Sequence, residues 1–303
     1  MEWEQIQAIA ERNAIFLDEQ PEDFLNTDVK LTEEELVLLL WLLIDEFETE
    51  DGLIKKNNKN FLMVTRVDEL FKEFSLAGGF ILIVKLIGRL QKVLSNNFTY
   101  YARLLGRSEK FTKTSASVRK FVNRRLGLAE DGSMVKDGYV NTLYGDKTIR
   151  NKAREIMFRG VLSGNKPSDL KTNIKNYISG TEKTKGAIEK FYSQFAYDTF
   201  GQIDRMASVQ FADRYGLQWF IYYGTLIATS RAFCRKHING IYNVIEARNW
   251  IYQNPRPLGI SESTYDPVID MGGVNCRHTP FFLTEEMKDD LFNRGFSNVP
   301  SNL

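Results

Sequence analysis

The sequence predicts an α+β protein, mostly α-helical over its N-terminal two-thirds and followed by a small loop-rich α+β C-terminal domain. Three observations predict it. Apolar residues recur at helical spacing between recognisable caps as far as Tyr215. Gly216 then stops the pattern, and residues 217–227 are rich in aromatic and β-branched side chains, the composition of a buried strand. Beyond that point Gly and Pro are frequent and the periodic pieces are short. The 303 residues can bury a substantial core and allow more than one domain. The expected division is a helical N-terminal domain over 1–135, a helical connecting region over 136–216 and a small Cys/His-containing α+β domain over 217–303.

Taken in order, Thr32 followed three residues later by Glu35 reads as a capping box that opens a helix over the apolar run 36–44. That run is apolar on every side, which suits a helix packed between others; a membrane-inserted hairpin is the alternative, and its shortness counts against it. Asp51-Gly52 and the polar stretch 55–60 break the chain before a second helical region, 61–105, interrupted at Gly78-Gly79. Over 107–125 the basic residues Arg107, Lys110, Lys113, Arg119, Lys120, Arg124 and Arg125 crowd one segment. They form either a solvated helix face or a surface for nucleic acid or an acidic partner. Asp131-Gly132 and Asp137-Gly138 are turn signals around a short extended piece and mark a domain boundary. Helices are then expected over 142–162, over 168–178 with Ser168 at the N-cap, and in one long run over 181–215. In that run Ile188, Phe191, Tyr192, Phe195, Thr199, Ile203 and Met206 make a core stripe. Past the strand, a helix is expected around 246–252, a strand over 279–283, and a last helix capped by Thr284.

Forty basic against thirty-nine acidic residues give a net charge of +1, so no overall field draws the chain to nucleic acid or an anionic membrane. The acidic start, Met1-Glu2-Trp3-Glu4, lacks the order of a secretory signal, and no apolar run approaches the roughly 20 residues that span a bilayer. The expectation is a protein made and kept in cytoplasm, or assembled there into something larger.

The chemistry gathers in one place. Cys234-Arg235-Lys236-His237 and Cys276-Arg277-His278 hold both cysteines and both histidines of the chain. Three causes compete for this grouping. Thiolate sulfur and imidazole nitrogen are the ligands zinc prefers, so Cys234, His237, Cys276 and His278 could fasten two irregular segments through one ion. A Cys234–Cys276 disulfide would close a loop of about forty residues and stabilise it by several kcal/mol in an oxidising setting. The third cause is phosphodiester cleavage by Arg231, His237, Glu246, Arg277 and His278, with two imidazoles as base and acid and arginine steadying phosphate charge. Arg231 and Arg277 could brace the knot by pairing with Glu246 or Asp270. Gly224, Gly240 and Gly272-Gly273 mark tight or close-approach backbone around it, and Trp250 and Tyr265 read as packing residues.

The run from Tyr223-Gly224-Thr225 through Ser230-Arg231-Ala232-Phe233-Cys234, then Asn239-Gly240, Glu246, Trp250 and Gly272-Gly273-Val274-Asn275-Cys276-Arg277-His278, resembles the C-terminal domain of the phage minor head proteins called Mu F-like or head-morphogenesis proteins. Cys234, Cys276, Arg277 and His278 fit that pattern position by position. The helices from about residue 142 to Gly216 resemble those preceding the domain, so the likeness covers roughly the last half of the chain. His237 departs from the commonest form, in which many members carry a second cysteine or no ligand. The resemblance implies a structural, non-enzymatic virion protein, made in the host cytoplasm and present in several copies in the phage head. Its partners would be portal or capsid proteins, with contact to packaged DNA and none to a membrane in the assembled particle; its work would be head assembly or DNA delivery. An injected nuclease using His237, Glu246 and His278 is the enzymatic alternative. A portal-adjacent adaptor holding DNA through 107–125 is a third.

Overall fold

Helix accounts for 65% of the chain in the computed structural model, which describes residues 3–136, 138–143 and 147–295. The first helix, α1 (Trp3–Asp23), passes through a π-helical segment (Phe24–Val29) into α2 (Lys30–Asp45). A hairpin of β1 (Thr49–Glu50) and β2 (Leu53–Ile54) turns on Asp51 and Gly52, both at positive φ. Next come α3 (Asn58–Phe74), a second π segment (Ser75–Gly79), α4 (Phe80–Leu105), α5 (Glu109–Leu126), α6 (Tyr139–Thr142), α7 (Lys147–Ser163) and α8 (Pro167–Ile178). A second hairpin, β3 (Gly180–Thr181) with β4 (Thr184–Lys185), leads to α9 (Ala187–Ser193) and α10 (Ala196–Tyr215). The rest is β5 (Trp219–Tyr223), α11 (Ala232–His237), β6 (Ile241–Asn243), α12 (Val244–Ala247), a 3-10 turn (Trp250–Tyr252), β7 (Thr279–Leu283) and α13 (Glu285–Asn293). The α+β class is as expected. No helix among the described residues is long and apolar enough to cross a membrane.

Several boundaries differ from the sequence reading, each for a local reason. Thr32 does not open a helix: the backbone is already helical there, and its hydroxyl donates to the Asp28 carbonyl one turn back. The Gly78-Gly79 interruption is a widened π turn rather than a break. Pro167 takes the first position of α8, so the N-cap is Lys166 and not Ser168. The long run expected over 181–215 is cut by the β3–β4 hairpin and by the step between Ser193 and Ala196. Gly216, in left-handed conformation, ends α10 as expected. The Asp137 turn signal lies outside the described residues.

The chain folds into two compact units, neither of them continuous in sequence. They cut across the expected 1–135, 136–216 and 217–303 division, because α1 and the second half of α4 belong with the C-terminal sheet. One unit, residues 23–88 and 134–194, is helical: α2 packs on α8, α3 on α7, and α7 on α8. Gly160 of α7 lets the Leu170 side chain of α8 approach where a Cβ would stand 2.7 Å from it.

Within this unit Glu33 is buried at 4% exposure and accepts the Glu189 backbone N–H at 2.9 Å. Burial raises its carboxyl from 4.5 to about 7. The fold therefore holds this proton longer than the unfolded chain does, so the site's contribution is intact below about pH 4.5 and is lost as pH rises through about 7. Glu33→Gln keeps the acceptor and cannot ionise. It should flatten the pH dependence and leave this unit more stable than wild type by about 1–2 kcal/mol above neutrality, after discounting for screening at the open cleft that Glu33 lines with Lys30 and Glu189. Urea midpoints at acid and neutral pH measure this, and parallel profiles for the two proteins would refute it.

The other unit, residues 3–22, 89–133 and 195–295 among those described, carries the three-stranded antiparallel sheet in the order β6-β5-β7. Trp219 pairs with Asn243 and Leu283, and Tyr222 with Pro280. Alternation along β5 gives the sheet two apolar faces. Ile221 joins Ile241, Leu283 and Leu291 under α13, whose Thr284 N-cap accepts from Met287 N–H as the sequence predicts. Phe220 and Tyr222 point the other way, toward Trp250, Phe233 and Phe282. Helix α10 packs on β7 and on α5. The Asp204 carboxylate, fully buried in α10, receives the Asn97 amide at 2.9 Å and the Thr279 hydroxyl, and burial raises its carboxyl. A seam of this kind is tolerated in a core because the Asp204 carboxylate and the Asn97 amide nitrogen find partners within it.

Candidate metal centre

Three elements bring the cluster together. Cys234 rides on α11, which starts after Arg231 and lasts only six residues. Cys276 ends the long loop after the 3-10 turn, and His278 immediately precedes β7. That loop is organised by its own backbone: Asp266 Oδ1 accepts from the N–H groups of Val268 and Ile269, Gly273 N–H reaches the Asp270 carbonyl, and Leu258 bridges Gly273.

Cys234, Cys276 and His278 are buried, at 3%, 2% and 2% exposure, with their ligand atoms all within 4.8 Å of one another. The two sulfurs are thiols 3.9 Å apart, about twice the length of a disulfide bond. His278 Nδ1 stands 3.5 Å from Cys276 Sγ. The Tyr222 hydroxyl lies 3.3 Å from Cys234 Sγ and 3.5 Å from Cys276 Sγ, and Gly272 N–H donates to Cys276 Sγ at 3.3 Å. Gly272 is required by space: a Cβ there would stand 2.4 Å from Cys234 Sγ and 3.1 Å from Cys276 Sγ.

The pair of sulfurs shares its protons unequally. The adjacent Cys276 sulfur, and then burial, push the Cys234 thiol up. Burial also opposes ionisation of Cys276, but hydrogen bonds from Cys234 and His278 and the field of Arg205 outweigh it and hold that thiol well below its ordinary range. The site thus offers two sulfurs, of which Cys276 ionises the more readily, and one imidazole, a donor set suited to a soft or borderline cation.

His237, expected as a fourth ligand, is not part of the group. Its Nδ1 is 2.8 Å from the Phe233 carbonyl oxygen and its Nε2 is 3.0 Å from Gln253 Oε1, so both ring nitrogens face partners other than the sulfurs. The ring stacks on Phe233 at 4.1 Å between centroids and lies 4.8 Å from Trp250. Burial lowers its basicity, and the neutral imidazole serves as an aromatic core residue. Trp250, 1% exposed, is the packing residue expected.

The bracing residues also differ from expectation. Glu246 closes a capping box with Asn243 at the start of α12 and pairs with neither arginine. Arg231 does brace the knot, through backbone carbonyls rather than carboxylates: its guanidinium donates to Gly272 at 3.3 Å and to Val274. Arg277 turns outward, 3.8 Å from Asp18 and 3.7 Å from Glu22, with its guanidinium 4.4 Å over the Tyr197 ring. Among the described residues no hydrogen bond joins His237, Glu246 and His278, the set required by the nuclease reading.

The residue that sequence reasoning missed is Arg205, at 1% exposure in the middle of α10. Its guanidinium donates to the carbonyls of Cys276 and His278, each at 3.0 Å, and to that of Ile269. Gly201, one turn earlier, leaves room for it, since a Cβ would meet Nη1 at 2.7 Å. The available signal was a charged pair, Asp204-Arg205, set between the stripe residues Ile203 and Met206. Asp198 adds support by accepting the Asn275 N–H.

No protein-family model, curated protein or solved structure matches this chain.

Proposed function

We propose that this chain is a structural minor head protein of a bacteriophage, acting at the portal or capsid in head assembly or DNA delivery, with a C-terminal sheet domain fastened by zinc through Cys234, Cys276 and His278. The observation that carries the reading is the burial of three ligand-type side chains against one another, Cys234 from α11 with Cys276 and His278 from the segment 272–278, and the likeness to Mu F-like proteins rests on the same two stretches. A clasp needs burial. A nuclease needs an opening that admits a phosphodiester, and the cavity beside His278 has only about 10 Å³ of space for water. A structural zinc takes four ligands, of which Cys234, Cys276 and His278 supply three, leaving one position to a water.

Elemental analysis of protein purified without chelator, with thiol titration under denaturing conditions, tests the clasp. One zinc per chain and two free thiols is the expected result. Neither metal nor free thiol would replace the ion with a Cys234–Cys276 disulfide, and two free thiols without metal would overturn the clasp. Mass spectrometry of purified heads from the encoding phage tests the assignment to the particle; its absence there would refute it.

A further inference from the structure

His278 presents its two nitrogens to different surroundings. Nδ1 faces Cys276 Sγ, whereas Nε2 is buried with no hydrogen-bond partner among the described residues. An unpaired buried ring nitrogen is costly, so a polar group belongs against it. The histidine lines a small cavity together with Asp18, Tyr197, Gly201 and Arg205, and its roughly 10 Å³ of space for water is the minimum that accommodates one molecule. Asp18 is the carboxylate on that wall. It comes from α1, far from the cluster in sequence, and is fixed there by the Thr225 hydroxyl, which donates to it, and by Arg277 at 3.8 Å.

We infer that Asp18 orients His278 through one bridging water and so sets the affinity of the metal centre. A neutral imidazole carries a single N–H. To offer the Nδ1 lone pair to an ion, His278 must place its proton on Nε2, and that proton needs an acceptor. The water accepts it and donates in turn to the Asp18 carboxylate, which selects the ligating tautomer. Ligating histidines are commonly held by such a carboxylate. Asp18 is therefore a positioning residue, and it ties α1 to the C-terminal clasp. The inference rests on the metal reading above.

The test is zinc affinity of the full-length chain, measured by competition with a chromophoric chelator, for wild type, Asp18→Ala, Asp18→Asn and Glu22→Gln. Asp18→Ala should bind zinc roughly 10–100-fold more weakly. Asp18→Asn keeps an acceptor and should recover part of the loss, which also guards against a misfolded alanine variant. Glu22→Gln removes the other acid beside Arg277 and should leave affinity unchanged. Cobalt(II) supplies a readout that mere packing would not move: its visible ligand-field bands should shift in Asp18→Ala even at saturation. Wild-type affinity and spectrum in Asp18→Ala would overturn the inference while leaving the metal site standing. An equal loss in Glu22→Gln would also overturn it, by assigning the effect to the Arg277 ion pair. Failure of the wild type to bind either ion would remove the metal reading itself, and the inference with it.

Discussion

Arg205→Met is expected to destabilise the sheet-containing unit by about 3–5 kcal/mol, a loss few single substitutions reach. The methionine stem would fill most of the volume that the arginine stem occupies, so packing is not the main loss. The guanidinium, however, satisfies three loop carbonyls, those of Ile269, Cys276 and His278, in a core where Arg205 is 1% exposed. Each carbonyl left unpaired costs roughly 1–3 kcal/mol, and partial relaxation keeps the total below their simple sum. The geometry matters as much as the energy. Holding the carbonyls of residues 276 and 278 on one side turns Cys276 and His278 inward and sends Arg277 out toward Asp18 and Glu22. Arg205→Lys retains the charge without the planar fork and should recover only part of the stability. Urea unfolding of a Trp41→Phe background, in which the remaining tryptophans all lie in this unit, reads the effect by fluorescence, and a methionine variant within about 1 kcal/mol of its parent would show that the clamp is dispensable.

How much of this was legible in the sequence depends on the range over which each feature is determined. Local signals were read well. Thr284 caps α13, Gly216 ends α10, and residues 279–283 form a strand buried along its whole length, because caps, left-handed glycines and strand composition act over a few neighbouring residues. The β3–β4 hairpin was missed because Thr181-Glu182-Lys183-Thr184 lacks the strong turn dipeptides, and a helix could have run through it on pattern alone. The units were missed for a different reason: α1 joins the C-terminal sheet through contacts almost the whole chain apart, exemplified by Glu4 with Arg294, and no local pattern records such pairing. At the site, proximity in sequence anticipated that Cys234, Cys276 and His278 lie together, whereas His237 stands outside their group. A Cys-x-x-His spacing on a short helix leaves open whether the imidazole turns toward the sulfurs or into the aromatic core, and Phe233, Trp250 and Gln253 decide it. Asp18 carried no local signal, and Arg205 only its place beside Asp204 within an apolar stripe.

If zinc fills the Cys234–Cys276–His278 cluster as proposed, removing it should lower the stability of the same unit by about 4 kcal/mol relative to protein held at a thousandfold excess of zinc over its dissociation constant, since an ion bound only by the folded state stabilises it by mass action. The two compact units supply the internal control. Heating with and without a strong chelator should shift the transition of the unit that holds Cys234, Cys276 and His278 and leave that of the helical unit in place. Cys276→Ser should reproduce the chelated state and become insensitive to chelator, because it removes the sulfur that the surroundings hold most readily as thiolate. The zinc-dependent shift should also fade on acidification, as protons compete for both sulfurs and the imidazole. A disulfide would behave in the opposite way: reductant, not chelator, would lower the transition. Insensitivity to both reagents would mean that the cluster is held by packing and by Arg205 alone, and the clasp would have to be abandoned.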